Sequence, residues 1–393
     1  MIDFMFHMPT KLIFGSGKLK ELSDPANVPG KKAFIVISSG GSMIRHSYLT
    51  FVQNMLNHNN VESVVYNKIQ ENPILDHVTE GAALARQHEC DFVIGLGGGS
   101  SIDSAKSIAL MANNEGNYWD YMQAGTGGKK TPANPALPIV AIPTTAGTGT
   151  EADPWTVITN SATNEKIGWG NDSTYPTLSI IDPWFTLTVP PKVTAFTGMD
   201  AFFHSVETYL SAQRQPTSDL LSQQAVQLLN TFLPEIVEEG QNIEARTMVS
   251  WASTAAGVCQ SLSSCMSLHS MEHALSAYYP AVPHGAGLLM LSRAYFKHLT
   301  PHMPERMIDL AYFMDVDVDA LPEEKRPYAF VDALDALIKK IGMGNLSLAD
   351  YGVKKEDCAK MAKNAMETMG VLFTCTPVET SEAEVIAIFE DSF

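Results

Sequence analysis

Five residues in the second half of the chain combine types and spacings that can hold a metal ion. Asp200 and His204 lie four apart, so on a helix they share one face. His269 and His273 repeat that spacing, and His284 follows in Pro283-His284-Gly285. Four of the eleven histidines thus fall between residues 204 and 284. Any one of them alone would more often be a packed or solvated side chain. Carboxylate oxygen and imidazole nitrogen together suit Zn²⁺ or Fe²⁺, and the group of five favours a metal centre. A divalent ion there would act as a Lewis acid on a carbonyl or alcohol oxygen, as hydride transfer requires.

A second set of residues could hold a diphosphate. Gly97-Gly98-Gly99-Ser100-Ser101 follows the apolar run 91–96 and opens a helical stretch at 101–111. Glycines let backbone approach a ligand, and a helix start offers free N–H groups with the positive end of a dipole. Ser100 and Asp103 fit a capping-box-like pair. The strict G-x-G-x-x-G spacing is absent. Support comes from Pro143-Thr144-Thr145-Ala146-Gly147-Thr148-Gly149-Thr150-Glu151, which follows another apolar run. Its four threonine hydroxyls can bond ribose or phosphate oxygens; without the glycine run it would read as an ordinary turn.

The elements that must position these groups fall into two halves. Runs at 33–38, 61–66, 91–96, 139–142, 156–159 and 178–181 read as strands, with helices at 75–88 and 101–111 between them. That alternation predicts a parallel sheet covered by helices, interrupted by the turn Glu71-Asn72-Pro73 and a polar Gly/Pro-rich loop at 125–138. After Pro190-Pro191 the segments are helical, including 200–212, 217–229, 244–258 and 268–278. The expected division is 1–185, an α/β unit, and 186–393, an all-helical unit carrying the metal ligands.

Bulk properties bound the partners. At −17 the formal net charge repels phosphate backbones, which disfavours general nucleic-acid binding and otherwise serves solubility. The five cysteines are scattered with no Cys-x-x-Cys pair, so neither a disulfide framework nor a thiolate zinc cluster is expected. No apolar run approaches the ~18 residues of a membrane span, and the first residues lack a signal-peptide pattern. A cytosolic protein with no membrane partner is the expectation.

The stretches Gly97–Lys106 (GGGSSIDSAK), 143–151 (PTTAGTGTE), Asp200-x-x-x-His204, His269-x-x-x-His273 and Pro283-His284-Gly285 occur in the order found in iron-containing (group III) alcohol dehydrogenases. The chain resembles that family from its N-terminal strand to about residue 300. The resemblance implies a dinucleotide-binding α/β domain followed by an all-α metal-binding domain of the dehydroquinate synthase-like type, with the active site in the cleft between them. It implies that Asp200, His204, His269 and His284 hold one ion, Fe²⁺ or Zn²⁺. His273 then matches a histidine near the substrate with a proton-relay role, and simple packing behind the metal ligands stands beside that reading. Lys166 matches a lysine near the nicotinamide ribose. The expected coenzyme contacts are Gly40, Gly41, Ser42, Asn72, Gly97, Gly98, Gly99, Ser100, Asp103, Thr144, Thr145, Thr148 and Lys166. Two departures stand out. Ser101 replaces a common proline, and the 273–284 segment is one residue longer than in many relatives, which bears on the substrate pocket.

NAD-using members commonly place an aspartate after the first strand, for the adenosine ribose. Here the stretch is Ser38-Ser39-Gly40-Gly41-Ser42, with Arg45 close by and no carboxylate. That is similar to the NADP-preferring butanol dehydrogenase and aldehyde reductase branch, and NADP(H) is expected over NAD(H). The resulting expectation is an oxidoreductase interconverting a small primary alcohol and its aldehyde, as a homo-oligomer. The rivals are a lyase or cyclase of the dehydroquinate synthase type, which recycles its coenzyme, and a metallohydrolase, which leaves the two loops unexplained. A non-catalytic interaction module explains neither loops nor ligands.

Overall fold

The computed structural model describes residues 3–393. Among these the chain divides into two compact units, His7–Val189, and residues 3–6 with Pro190–Phe393.

The first unit is built on a six-stranded sheet. Its strands are β1 (Lys11–Phe14), β2 (Lys32–Ser38), β3 (Glu62–Ile69), β4 (Phe92–Gly97), β5 (Ile139–Pro143) and β8 (Leu178–Ile181), and every pairing is parallel. They lie in the order β1-β8-β5-β4-β2-β3. The central strands β4 (FVIGLG) and β5 (IVAIP) are buried along their whole length, as a sheet covered on both faces requires. α1 (Ser42–Arg45), α2 (Tyr48–His58), α3 (Leu75–Gln87) and α4 (Gly99–Ala112) follow or link these strands. The chain runs from β2 outward to β3, then returns past β2 to β4 and continues toward β5. The direction of winding therefore reverses between β2 and β4. In open α/β sheets that reversal parts the loops at the strands' C-terminal ends and leaves a crevice for ligand.

Two further strands, β6 (Thr156–Asn160) and β7 (Glu165–Trp169), form an antiparallel hairpin outside the main sheet. Thr159 N donates to Pro73 O at 2.8 Å, which docks the hairpin on the turn after β3.

The second unit is helical throughout: α5 (Pro191–Leu210), α6 (Pro216–Glu238), α7 (Ile243–Leu262), α8 (Ser267–Tyr278), α9 (His284–Leu299), α10 (Pro304–Phe313), α11 (Ala329–Lys340), α12 (Cys358–Thr368), α13 (Gly370–Cys375) and α14 (Glu382–Glu390). From Met199 to Leu210 every residue of α5 is buried, so it is the axis against which α6, α7 and α9 pack. Its Phe202 and Phe203 rings stack on Phe330 and Phe296, at centroid distances of 6.4 and 6.1 Å. A polar group on such a helix needs a dedicated partner. No helix among the described residues is long and apolar enough to cross a membrane.

Candidate metal centre and coenzyme loops

α5, α8 and α9 each bring residues to one point. Asp200 and His204 lie one turn apart on α5, and His269 sits on the first turn of α8. His284 opens α9, whose start lies hard against α5. A Cβ on Gly285 would stand 2.2 Å from the Phe196 carbonyl oxygen, so only glycine permits this approach. That contact lies one turn before Asp200 on α5.

Asp200 Oδ1 is 3.5 Å from His204 Nε2, 3.5 Å from His269 Nε2 and 3.4 Å from His284 Nε2. Direct hydrogen bonds would be near ~2.9 Å. Ligand atoms about 2.1 Å from a shared tetrahedral ion lie about 3.4 Å from one another. Asp200 Oδ1 and His269 Nε2 are buried and make no hydrogen bond among the described residues. Three imidazole nitrogens at that distance from one carboxylate oxygen fit ligands of a divalent ion.

Two carboxylates back the imidazoles. His269 Nδ1 pairs with Glu207 and His284 Nδ1 with Glu272, and both glutamates are fully buried. Each pairing turns the ring's Nε2 toward Asp200 and raises its basicity, as in carboxylate–histidine–metal arrangements. The His204 and His269 rings stack at 4.4 Å between centroids. Burial pushes the Asp200 carboxyl upward, but the neighbouring imidazoles of His204 and His284, with His269, hold it well below the usual range. Burial works against protonation of His269, and Glu207 foremost, with Cys265 and Asp200, overcomes it to raise that histidine well above its ordinary value.

His273 lies one turn beyond His269 and is 5% exposed, with its ring 5.6 Å from that of His284. His284 has the most solvent access of the four donor side chains, at 24%. Cys265 completes a buried triple with His204 and His269, and burial pushes its thiol up to about 11, out of the thiolate range at neutral pH.

In the α/β unit the two loops named from sequence interlock. A Cβ on Gly99 would lie 2.4 Å from Thr148 Cγ2, and one on Gly98 would lie 3.1 Å from Thr145 Oγ1. The loop after β4 is thus seated directly on the threonine loop after β5. Thr144 N donates to Gly97 O at 2.9 Å and completes the junction. The capping-box reading of Ser100 and Asp103 is not borne out. α4 starts at Gly99 with Gly98 as its cap, and no side chain caps it. Asp103 instead turns toward the threonine loop, accepting from Thr150 Oγ1 at 2.7 Å and from Val157 N at 2.9 Å. Ser101 is 1% exposed, and its hydroxyl has no hydrogen-bond partner among the described residues. The half-buried, glycine-rich start of α4 fits a diphosphate.

The hairpin brings Lys166 to Asn72, Nζ donating to Oδ1 at 2.9 Å. Gly40, Gly41 and Ser42 lie at the end of β2, on the other flank of the winding reversal. Arg45 Nη1 folds back onto Gly40 O at 2.7 Å.

The model of iron-containing alcohol dehydrogenases matches residues 9–183, and that of the C-terminal part of Fe-containing alcohol dehydrogenases matches residues 194–393. The chain belongs to the iron-containing alcohol dehydrogenase family. The match runs to the last residue, well past the landmarks legible near residue 300. A 1,3-propanediol dehydrogenase of Citrobacter freundii is 32% identical over 100% of this chain and 99% of its own length. A probable NADH-dependent butanol dehydrogenase of Bacillus subtilis is 33% identical over 94% of each. An archaeal halo-thermophilic alcohol dehydrogenase from a Red Sea brine pool has the same fold, with a TM-score of 0.94 and 32% identity over 100% of both chains. This family member is accordingly a metal-dependent, NAD(P)-dependent oxidoreductase, and its Asp/His cluster is the divalent-metal site.

Sequence reasoning missed Glu207, Glu272 and Lys106. Each lies three residues after a candidate on the same helix, His204, His269 or Asp103, and that spacing was the available signal.

Proposed function

We propose that this enzyme interconverts a small primary alcohol and its aldehyde with NADP(H) in preference to NAD(H). Asp200, His204, His269 and His284 are assigned as the ligands of one Fe²⁺ or Zn²⁺. The observation that carries the reading is the set of three imidazole nitrogens 3.4–3.5 Å from Asp200 Oδ1. When bound, the ion supplies Lewis-acid polarisation of the substrate oxygen and the nicotinamide supplies the hydride.

The chain's own groups do the rest. Glu207 and Glu272 keep the His269 and His284 rings in the tautomer that offers Nε2. His273, beside the most accessible donor, His284, is assigned the proton delivered to or taken from the substrate oxygen. Gly97, Gly98, Gly99 and Ser100 offer backbone N–H groups to the diphosphate, with Thr144, Thr145 and Thr148 as hydroxyl partners. Lys166 and Asn72 are assigned to the nicotinamide ribose, and Asp103 supports the threonine loop.

The NADP preference rests on residues 38–42, which carry no carboxylate, and on Arg45 held against Gly40. A 2′-phosphate is attracted by a guanidinium and serine hydroxyls and repelled by an acid. NADH dependence appears in the names of several relatives, and the same loop is where this chain would part from them. The test is kcat/KM for a series of straight-chain aldehydes with NADPH and NADH after loading with Fe²⁺ or Zn²⁺. The expected ratio favours NADPH by about tenfold or more. Equal values for the two coenzymes overturn the preference, and no turnover of any aldehyde or alcohol overturns the substrate class.

A further inference from the structure

The Gly97–Lys106 motif ends in a lysine that the coenzyme assignment does not use. Lys106 is wholly buried, on the face of α4 that meets the threonine loop. Its Nζ donates to Thr150 Oγ1 at 2.6 Å, Asp153 O at 2.8 Å, Trp155 O at 2.9 Å and Asp153 Oδ1 at 3.1 Å. Asp103, one turn earlier, accepts from Thr150 Oγ1 and Val157 N, while Asp153 Oδ1 also accepts from Trp155 N at 2.8 Å. Two side chains of one helix therefore grip residues 150–157 at six points. The N-terminus of that same helix is the cradle against which Thr145 and Thr148 pack.

We propose that Lys106 and Asp103 are positioning residues for coenzyme binding: they tie the far end of the threonine loop to α4, so that its hydroxyls and the helix N-terminus face the diphosphate in one fixed arrangement. The inference rests on the coenzyme reading of these loops. Burying a lysine without such a purpose is unfavourable, since a hydrophobic side chain of similar volume would serve packing as well. A network fully satisfied within low-dielectric surroundings gives rigidity instead. Thr150 is the hub, accepting from the lysine and donating to the aspartate.

The experiment compares the full-length enzyme with Thr150→Val, Thr150→Ser and Lys106→Met by fluorescence titration with NADPH and NADH, thermal melting, and kcat at saturating coenzyme. Thr150→Val keeps the shape and removes the hydroxyl. It is expected to raise the NADPH Kd about tenfold while kcat at saturation stays within about threefold. Thr150→Ser restores the hydroxyl and is expected to return Kd to within about twofold of the parent. Lys106→Met, if it folds, exceeds the effect of Thr150→Val. A parent-like Kd in Thr150→Val, even with a lowered melting temperature, overturns the clamp alone. Failure of the parent enzyme to bind either coenzyme overturns the loop assignment, and the clamp with it.

Discussion

In the helical unit the atoms proposed to hold the ion all belong to side chains, whereas in the α/β unit the proposed phosphate cradle is mostly backbone. The proposed metal centre would take single atoms from Asp200, His204, His269 and His284, on three helices, with buried glutamates paired to two of the rings. The coenzyme loops depend on what is missing: side chains at Gly98 and Gly99, where added atoms would meet Thr145 and Thr148. One region should therefore fail when an atom is removed, and the other when an atom is added.

The largest effect is expected at the centre. His269→Ala removes a donor and leaves Glu207 buried without its partner. Activity should fall by about a thousandfold or more, with loss of bound metal by elemental analysis. Full turnover by a metal-free variant would break the assignment of the cluster. The mirror experiment is Gly99→Val, which adds atoms where the first Cβ already lies 2.4 Å from Thr148 Cγ2. Coenzyme Kd should rise by about a hundredfold, with metal content unchanged. If both variants lose metal and coenzyme together, the two regions are not separable and the contrast is wrong.

Glu207→Gln sharpens the comparison within the centre. The amide can still hydrogen-bond His269 Nδ1 but supplies no charge, so metal affinity should drop about 10–100-fold in a chelator competition. An unchanged affinity would mean that geometry alone, not the carboxylate charge, tunes the ring.

These contrasts also explain what could be read from the chain before its fold was known. Side-chain sites announce themselves by residue type and helical period, and Asp200-x-x-x-His204 and His269-x-x-x-His273 did so. Their supports did not, because Glu207 reaches a histidine 62 residues away, a distance no local pattern encodes. The parallel sheet was legible because β2, β4 and β5 are uninterrupted apolar runs. β7 was not, since Glu165–Trp169 is short, contains a glycine and pairs only with its hairpin neighbour. Asp103 misled for a physical reason. A Ser-x-x-Asp run at a helix start matches a cap in sequence, but here Thr150 and Val157 compete for the carboxylate and win.

His273→Gln tests the proton relay. It keeps a polar side chain one turn from His269 and removes the titrating ring, so kcat for aldehyde reduction should fall about 10–100-fold with metal retained. A kcat within twofold of the parent, with its pH dependence unaltered, would reduce His273 to packing.

The smallest effect concerns charge at the edge of the coenzyme loops. Arg45 is exposed and bonded to Gly40 O, so its guanidinium works in high dielectric and its loss costs little stability. Arg45→Ala should raise the NADPH Kd about five- to tenfold and leave the NADH Kd within about twofold. The difference should shrink with added salt, because an exposed charge–phosphate contact is screened within about 10 Å at 0.1 M. Placing an acid in the same loop, Ser42→Asp, should move selectivity toward NADH through repulsion of the 2′-phosphate. Equal loss for both coenzymes in Arg45→Ala would instead make Arg45 a support of the Gly40–Gly41 turn. The loop would then act through backbone shape, like the cradle at Gly99, and not through charge.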